Sequence, residues 1–445
     1  MQREPSLFFC SFPNGSLCPP DSFSSLAHDH RSTLRPFCSP LLLSPLLSLP
    51  STARLSLIMT EPIASNNECI PAEGEDTEVV DEGNRSILMD IISQLSKGGD
   101  LHRVTLPTFV LEPRSMLERI TDFMSHPEII IKANQLEDPV ERFVAVTRYF
   151  LSGWHIKPKG VKKPYNPILG EQFRSKWTFA DGTEAFYVAE QVSHHPPISA
   201  YYYANPENNI SIVGDLLPKS KFLGNSAATL MQGEIKVAFT NRPGEEYFIT
   251  MPNVYARGIL FGTMLLELGD VAAVRCPKLD LICSLEFKVK GYFTGSYNSI
   301  AGKIKRISTG EVLYDISGKW SDEIYITKKG NKEVFFDAKT AQIHPKIVAP
   351  EEEQDVNESR RLWSKLTAAL KVNNQTLATE EKSKVEDAQR LSSKEREEQG
   401  ETHQPKYFEP NGEGFAIKLK NISNDPQEAK KQIIDFIFNT PAPLS

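Results

Sequence analysis

Short runs of alternating apolar and polar residues dominate the middle of the chain. Two such runs, residues 173–179 and 185–192, flank Asp181-Gly182, a pair typical of a two-residue β-hairpin turn. Further runs that predict strands are residues 198–204, 210–213, 235–239, 247–251, 264–268, 281–290, 302–307, 312–316 and 323–327. Many short strands separated by turn residues predict a large antiparallel sheet that closes, or nearly closes, into a barrel.

Helical spacing of apolar residues occurs on both sides of the strands. Residues 109–151 repeat apolar positions every three or four residues, with a second helix expected from about Pro139. After the strands, residues 358–370 and the highly charged residues 380–396 have the same spacing. No glycine-rich loop stands between a strand and a helix, which argues against a nucleotide-binding α/β fold. The pattern predicts an α+β fold.

The first 83 residues lack a pattern that would build a core. Residues 1–58 are rich in Ser, Pro and Leu, and Pro45 interrupts their longest apolar run. That run is about half the length of a membrane-spanning helix and lies too far along the chain for a secretory signal. We expect residues 1–58 to be a disordered leader and Met59 to be the natural start. Residues 59–83 are acidic, with no basic residue, and predict a disordered segment.

A short amphipathic helix is predicted over Asn84–Lys97, where five apolar residues share one face and Gly98-Gly99 follows as a stop. Two interpretations are open from the residues alone. The helix docks over a core, or it covers a pocket or touches a membrane.

Charge and cysteine content narrow the class of function. The chain has 50 Lys and Arg against 57 Asp and Glu, a net charge of −7. General nucleic-acid binding needs the opposite balance, so we expect no nucleic-acid partner, and any anionic ligand must meet a local basic cluster. Beyond the leader, Cys69, Cys276 and Cys283 have neither zinc-site nor CxxC spacing, which fits a reducing cytosol.

The most unusual local string is Glu190-Gln-Val-Ser-His-His-Pro-Pro, in which His194 and His195 are followed by two prolines. Adjacent side chains in an extended segment point to opposite faces, so the pair is not expected to chelate one metal ion. Three interpretations stay open: a structural turn, a site for a large anion, and metal-dependent or acid–base catalysis.

Two further strings carry basic residues. Lys162–Glu171 is forced into an extended course by its prolines and holds Lys163 and Asn166 three residues apart; it is a surface loop or part of a site. Lys382, Glu386 and Arg390 are spaced four residues apart and lie in one broad stripe of a helix. The stripe is a solvated helix face or a cationic site ordered by the glutamate.

Together these strings resemble the oxysterol-binding-protein-related family of lipid-transfer proteins. Residues 190–197 match its EQVSHHPP signature, residues 163–171 its KPxNPxLGE motif, and residues 106–112 its LPTF segment. Lys382, Glu386 and Arg390 match its C-terminal Lys-x3-Glu-x3-Arg pattern. The resemblance covers roughly residues 84–410 and includes a lid at 84–108. It is strongest to short fungal members, particularly the branch associated with phosphatidylserine transport. Residues 411–445 are then a C-terminal extension.

The resemblance implies a near-complete antiparallel barrel around a hydrophobic tunnel, with an N-terminal lid helix and flanking helices. It assigns His194 and His195 to the 4-phosphate of phosphatidylinositol 4-phosphate, with Lys163, Lys382 and Arg390 as further contacts and Glu386 orienting them. For the exchanged phospholipid, phosphatidylserine, it points to Leu106 at the lid base and to the residues of the tunnel wall. Those wall residues are Lys163, Asn166 and Ser220.

The implied function is exchange of phosphatidylserine for phosphatidylinositol 4-phosphate between membranes. We expect no catalytic residue, metal or cofactor, a monomer in transient peripheral contact with membranes, a docking protein on one of them, and a location at contacts between the endoplasmic reticulum and the plasma membrane. The alternatives are a sterol/phosphoinositide exchanger, a lipid sensor or tether without net transport, and a hydrolase using a histidine base. No nucleophile motif supports the last of these.

Overall fold

The structure of the protein is a computed structural model that describes residues 107–158, 160–259, 264–291 and 295–439. All of them belong to one compact unit, residues 64–445. The predicted leader, the acidic segment, the helix over Asn84–Lys97 and Leu106 lie outside the described residues.

Strands make up most of the described chain. In chain order they are β1 (Leu111–Ser115), β2 (Lys163–Tyr165), β3 (Gln172–Thr178), β4 (Glu184–His194), β5 (Pro197–Asn205), β6 (Ile210–Phe222), β7 (Ser226–Gln232), β8 (Ile235–Phe239), β9 (Glu246–Ile249), β10 (Asn253–Arg257), β11 (Leu265–Cys276), β12 (Leu281–Lys288), β13 (Ser299–Arg306), β14 (Val312–Lys319), β15 (Glu323–Lys328), β16 (Asn331–Asp337), β17 (Phe408–Asn411) and β18 (Gly414–Ile417). Within the described ranges, fourteen of them, β3 to β16, form one antiparallel sheet.

Helices precede and follow this sheet. They are α1 (Met116–Arg119), α2 (Pro127–Gln135), α3 (Pro139–Ser152), α4 (Ser359–Leu362), α5 (Ser364–Lys371), α6 (Gln375–Gln399) and α7 (Pro426–Phe438). Asp138 caps α3 by accepting the backbone N–H groups of Val140 and Glu141, and Pro139 stands at the first helical position, where a missing N–H costs nothing. No helix in the described part of the chain is long and apolar enough to cross a membrane.

The large sheet branches and closes a ring of strands. The first half of β6 pairs with β8 and its second half with β7. On the other side, β11 pairs with both β10 and β9. Because β7 pairs with β10 and β8 with β9, the six strands form a closed ring. Ring closure removes sheet edges that would otherwise be open to pairing with other chains.

The free edge of β3 is covered by the chain that follows β16. Lys176 and Ile347 exchange two backbone hydrogen bonds, of 2.9 and 2.7 Å, and the backbone N–H of Gln172 donates to the carbonyl of Asn357 at 3.0 Å. The barrel is therefore nearly complete, as the sequence predicts, and the predicted α+β fold class is confirmed.

Helices α2 and α3 pack against the inner faces of the strands. The ring of Phe143 lies 6.0 Å from that of Tyr247 on β9. Beside it, the guanidinium of buried Arg142 donates to both carboxylate oxygens of buried Glu245. A bidentate pair of this kind fixes the angle between helix and sheet, because both charges would be uncompensated in any other arrangement.

The residues after Tyr407 cover the outer face of β4 and β5. Apolar side chains of β17, β18 and α7 bury against that face in a second core. The sheet contributes Phe186, Val188, Val192, Ala200 and Tyr202, and the C-terminal residues contribute Tyr407, Phe408, Ile433 and Ile437. This arrangement holds the C-terminal chain directly behind the strand that ends in the histidine pair.

The structure contains strands that the sequence pattern does not predict. Strands β2, β7, β10, β16, β17 and β18 are absent from the predicted set, and β1 lies in a stretch predicted as helix. Strand β7 reads Ser-Ala-Ala-Thr-Leu-Met-Gln and lacks apolar alternation. Its pairing with β6 and β10, rather than its own propensity, makes it a strand.

A buried histidine pair makes the fold sensitive to acid. His126 and His155 are 0% and 2% exposed, and their Nε2 atoms lie 2.8 Å apart. Burial lowers the pKa of each imidazole from 6.5 to about 4. The stability that the neutral rings provide is therefore complete above pH 6.5 and is lost as the pH falls through 4.

We predict that His155→Leu makes the free energy of unfolding less dependent on pH below 6.5. The wild-type protein is expected to lose about 3 kcal/mol more than the variant between pH 6.5 and pH 4, because only in the wild type does unfolding let His155 take up a proton in this range. Urea titrations at a series of pH values measure this difference. If the free energy of unfolding depends on pH in the same way for both proteins, the lowered pKa of His155 is contradicted.

Candidate functional site

A largely apolar cavity lies inside the barrel. It offers about 260 Å³ to the centres of water-sized molecules, whereas one buried water needs about 10–15 Å³ on that measure. Ordinary protein interiors are close-packed, so a cavity of this size is a built feature of the fold. Its apolar wall includes Phe222, Met231, Val254, Ile259, Leu266 and Leu268.

Three of the residues assigned to the exchanged phospholipid line this cavity: Lys163, Asn166 and Ser220. Ser220 is buried on β6, and its Oγ lies 3.2 Å from Thr229 Oγ1 on β7. Asn166 is exposed, which places it where the cavity meets solvent. The sequence did not identify Thr229, because β7 was not predicted and only strand pairing brings this hydroxyl to Ser220.

A separate, open groove holds His194, His195 and Arg390. It is formed by the turn between β4 and β5 and by one side of α6. Gln389, Ser393, Lys394 and His403 also line it. The structure thus brings the histidine pair and the arginine together, although they are far apart in sequence.

The two histidine rings contact each other. Strand β4 ends at His194, β5 begins at Pro197, and these two residues pair across the turn. The ring centroids of His194 and His195 are 4.5 Å apart, with His194 Nδ1 3.2 Å from His195 Nε2. The expectation that the two side chains point to opposite faces is wrong, because His195 stands in the turn between β4 and β5 and not in an extended strand.

Binding a metal ion would require further ligands beside the histidine pair. Among the described residues no cluster of three or more His, Cys, Asp or Glu side chains is arranged to hold a metal ion. Two adjacent imidazoles that reach an open groove can instead donate hydrogen bonds to a large anion.

Ion pairs join the three residues of the α6 stripe. Lys382 Nζ lies 2.8 Å from one carboxylate oxygen of Glu386, and Arg390 Nη2 lies 3.7 Å from the other. Arg390 is 64% exposed and also pairs with Asp387. Lys382 is two helical turns, about 12 Å, from Arg390 and does not itself line the groove. Glu386 connects it to the groove.

The loop 162–171 connects the cavity to the groove. Its first part lines the cavity, Leu169 lines the groove, and the backbone N–H of Leu169 donates to Gln389 on α6 at 3.1 Å. Glu171 anchors the end of the loop. Its fully buried carboxylate accepts hydrogen bonds from Ser115, Ser359, Trp363 and the backbone of Ile168. Burial raises the pKa of Glu171, and these donors oppose the rise.

Glu190, four residues before His194, holds the C-terminal chain against β4. Its buried carboxylate accepts the backbone N–H groups of Lys406 and Tyr407 at 2.7 and 2.8 Å. Burial raises the pKa of Glu190 to about 7. His403, just before this anchor, lies in the groove wall, and burial lowers the pKa of its imidazole. No sequence motif pointed to His403, because the resemblance to the family weakens near Tyr407 and no element beyond it was predicted.

The arrangement is an apolar cavity next to a cationic groove, joined by one loop. Of the sequence-predicted residues, Lys163, Asn166 and Ser220 lie in the cavity wall, and His194, His195 and Arg390 lie in the groove. Lys382 and Glu386 are joined to the groove by ion pairs, and Leu106 lies outside the described residues. The ligand assignments of these residues stay predictions.

Comparison with known proteins identifies the family. The sequence model of the oxysterol-binding protein family matches residues 90–375. This chain belongs to that family. An oxysterol-binding protein homologue from Schizosaccharomyces pombe is 50% identical over 349 residues, spanning 76% of this chain and 73% of the relative. Oxysterol-binding protein homolog 6 of Saccharomyces cerevisiae is 44% identical over 384 residues, spanning 83% of this chain and 85% of the relative.

These relatives confirm the resemblance to short fungal members of the oxysterol-binding protein family. The fold agrees as well. The ORD of Osh3 from Saccharomyces cerevisiae, solved in complex with PI(4)P, has a TM-score of 0.61 and 21% identity, and the match covers 83% of this chain and 98% of that one. The ORD domain of Osh1 in complex with cholesterol has a TM-score of 0.65 and 22% identity, covering 79% and 89%. At these identities the likeness establishes a shared fold.

Proposed function

We propose that this protein takes single phospholipids out of a membrane and exchanges phosphatidylserine for phosphatidylinositol 4-phosphate. The observation that carries the proposal is the apolar cavity joined by the 162–171 loop to the groove of His194, His195 and Arg390. One compartment suits hydrocarbon and the other suits a phosphorylated headgroup. Family membership supports lipid binding and transfer as the general activity.

The apolar cavity addresses the main barrier to moving a phospholipid. Two acyl chains hold roughly 30 CH₂ groups, and each costs about 0.8 kcal/mol when it leaves an apolar phase for water, roughly 25 kcal/mol in total. Unaided desorption is therefore very slow. A cavity that surrounds the chains as the bilayer does makes the transfer nearly neutral at equilibrium.

The cationic groove suits a phosphomonoester on an inositol ring. Such a group carries about −1.5 to −2 charges at neutral pH and three strong acceptor oxygens. The groove offers the exposed imidazole of His195, the partly buried imidazole of His194 and the exposed Arg390 guanidinium, and charge-assisted hydrogen bonds to a phosphate are the stronger ones. A protein of net charge −7 can therefore bind an anionic lipid through a local cluster.

The polar residues of the cavity wall support phosphatidylserine as the exchanged lipid. Lys163, Asn166 and Ser220 supply an ammonium, an amide and a hydroxyl, which suit the carboxylate and phosphate of phosphatidylserine better than the single hydroxyl of a sterol. Sterol/phosphoinositide exchange is the second candidate, and the cholesterol bound to the related Osh1 domain supports it. Exchange needs two membranes, so we further propose that a monomer acts between the endoplasmic reticulum and the plasma membrane with the help of a docking protein.

A liposome assay with the full chain tests the proposal. We expect the protein to extract labelled phosphatidylserine and phosphatidylinositol 4-phosphate, to leave labelled sterol behind, and to move both lipids between liposomes with unchanged mass. Each phospholipid should compete with the other, since both need the same cavity. Sterol extraction in place of phosphatidylserine would favour the second candidate, and binding without transfer would indicate a sensor.

A further inference from the structure

The third imidazole of the groove is His403, which reaches it from the C-terminal chain. Two backbone hydrogen bonds from Lys406 and Tyr407 to Glu190 fix this chain on β4. The same β4 strand ends in His194, so one strand positions both His194 and the segment that carries His403. Tyr407 is fully buried, and its hydroxyl donates to the carbonyl of Ile437 at 3.0 Å, which ties the segment to α7.

The local geometry keeps space for the His403 ring. Gly170, the glycine of the 162–171 loop, has a φ of +78°, and a Cβ atom there would lie 3.0 Å from His403 Cε1. Any larger residue would strain the loop and push the ring aside. The loop that lines the cavity is thus shaped around a side chain from the far end of the chain.

One ring nitrogen of His403 faces a carboxylate. Its Nε2 is buried, has no hydrogen-bond partner among the described residues, and lies 3.9 Å from Glu190 Oε1. A buried polar nitrogen without a partner is rare and calls for an explanation. An imidazole backed by a carboxylate on one nitrogen is a familiar arrangement for binding at the other nitrogen.

We propose that His403 is a third phosphate-binding imidazole of the groove, positioned by Glu190, and that it gains a proton from solvent when a phosphomonoester binds. This inference rests on the proposed function and adds a ligand residue and a pH dependence to it. In the proton-bound state both ring nitrogens donate, Nε2 towards Glu190 and Nδ1 towards a phosphate oxygen. The C-terminal segment is then part of the binding site.

The charges around His403 explain why a bound phosphate is needed to stabilise the protonated ring. Burial, followed by the positive charges of Arg396 and Lys418, lowers the pKa of the His403 imidazole and so favours the neutral ring. The charged and titratable groups on the surrounding elements are Glu190, His194 and His195 from β4 and its turn, Arg390, Lys394, Arg396 and Glu397 from α6, and Lys406 and Lys418 from the C-terminal chain. A phosphate brings about −1.5 to −2 charges and reverses this balance.

Three variants of the full chain test the inference. His403→Ala is expected to weaken phosphoinositide binding about tenfold or more, the worth of one charge-assisted hydrogen bond. His403→Gln keeps a neutral donor and should retain part of the affinity, but its affinity should fall less steeply than that of the wild type between about pH 6 and pH 8, where imidazole titrates. Thr402→Ala, an exposed neighbour outside the groove, is the matched control and should behave as wild type.

The probes are vesicles containing phosphatidylinositol 4-phosphate and, separately, inorganic phosphate. Loss of binding in the vesicle arm alone identifies a lipid headgroup as the source of the phosphate, and loss in both arms identifies a general phosphate site. Phosphatidylserine extraction and the melting temperature of His403→Ala should match the wild type. If phosphoinositide binding, phosphatidylserine extraction and the melting temperature all fall in His403→Ala, the role of His403 is structural and the inference fails.

The outcomes separate this inference from the proposed function. A wild-type protein that extracts no phosphoinositide would overturn the proposed function, and the inorganic-phosphate arm would still test His403. A wild type that extracts the lipid, with His403→Ala equal to it in affinity and in pH slope, would overturn the inference alone.

Discussion

Replacing His194 and His195 together by alanine is expected to lower extraction of phosphatidylinositol 4-phosphate by about a hundredfold or more. Each imidazole that donates to a phosphate is worth about 1.5–3 kcal/mol, and the two act on the same group. The fold should survive, because His195 is exposed, His194 is half-buried, and both lie in a turn at the surface. Extraction of phosphatidylserine should stay close to that of the wild type, since neither residue lines the cavity.

A vesicle extraction assay run in parallel with thermal unfolding measures both effects. His344→Ala is the control, because its imidazole is 41% exposed and lies outside the groove. Undiminished phosphoinositide extraction by the double variant would rule out the headgroup assignment of the pair. An equal loss of extraction of both lipids would indicate that the histidine pair has a structural role and does not bind the headgroup.

Filling the cavity is expected to stop extraction of both lipids. Ala256 lies on β10, lines the cavity, and pairs with Ala227 on β7 and Leu266 on β11, which also line it. A tryptophan at this position places a large ring where acyl chains must pass, so Ala256→Trp should reduce extraction of phosphatidylserine and phosphatidylinositol 4-phosphate to background. The melting temperature should change little, because the added ring occupies open space and not a packed core.

Val271→Trp is the control for this variant. Val271 is 61% exposed on the outer side of β11, so the same added ring meets solvent and both extractions should persist. Inorganic phosphate should still bind to Ala256→Trp, because the groove is untouched. Normal lipid extraction by Ala256→Trp would show that the hydrocarbon chains are held elsewhere.

The sequence predicts the strands of the barrel well where apolar and polar residues alternate or form a clear apolar run. Residues 235–239 coincide with β8, and the predicted run 281–290 begins with β12 at Leu281. Prediction fails where tertiary contacts override weak local preference, as in β7, whose small side chains leave room for the cavity. A strand that lines an empty space need not alternate in the way that a strand facing a packed core does.

The residues of the candidate site were predictable from local motifs, but their arrangement in space was not. The groove histidines and the α6 stripe stand in contiguous motifs, so their positions along the chain are evident from residues 190–197 and 382–390. The meeting of the two depends on the docking of Leu169 on Gln389, which no local pattern encodes. His403 shows the same limit, because the tertiary contacts of Lys406 and Tyr407 with Glu190 bring it to the groove.

Different elements supply most of each compartment: the β4–β5 turn, α6 and the C-terminal segment line the groove, and β6, β7, β10 and β11 supply much of the cavity wall, while the 162–171 loop contributes to both. Substitutions in those wall strands can therefore change which molecule is carried without disturbing the phosphate-recognition elements. This division would let related proteins differ in the lipid they transport while all bind the same phosphorylated headgroup. It also indicates where substitutions could be made to change the transported lipid.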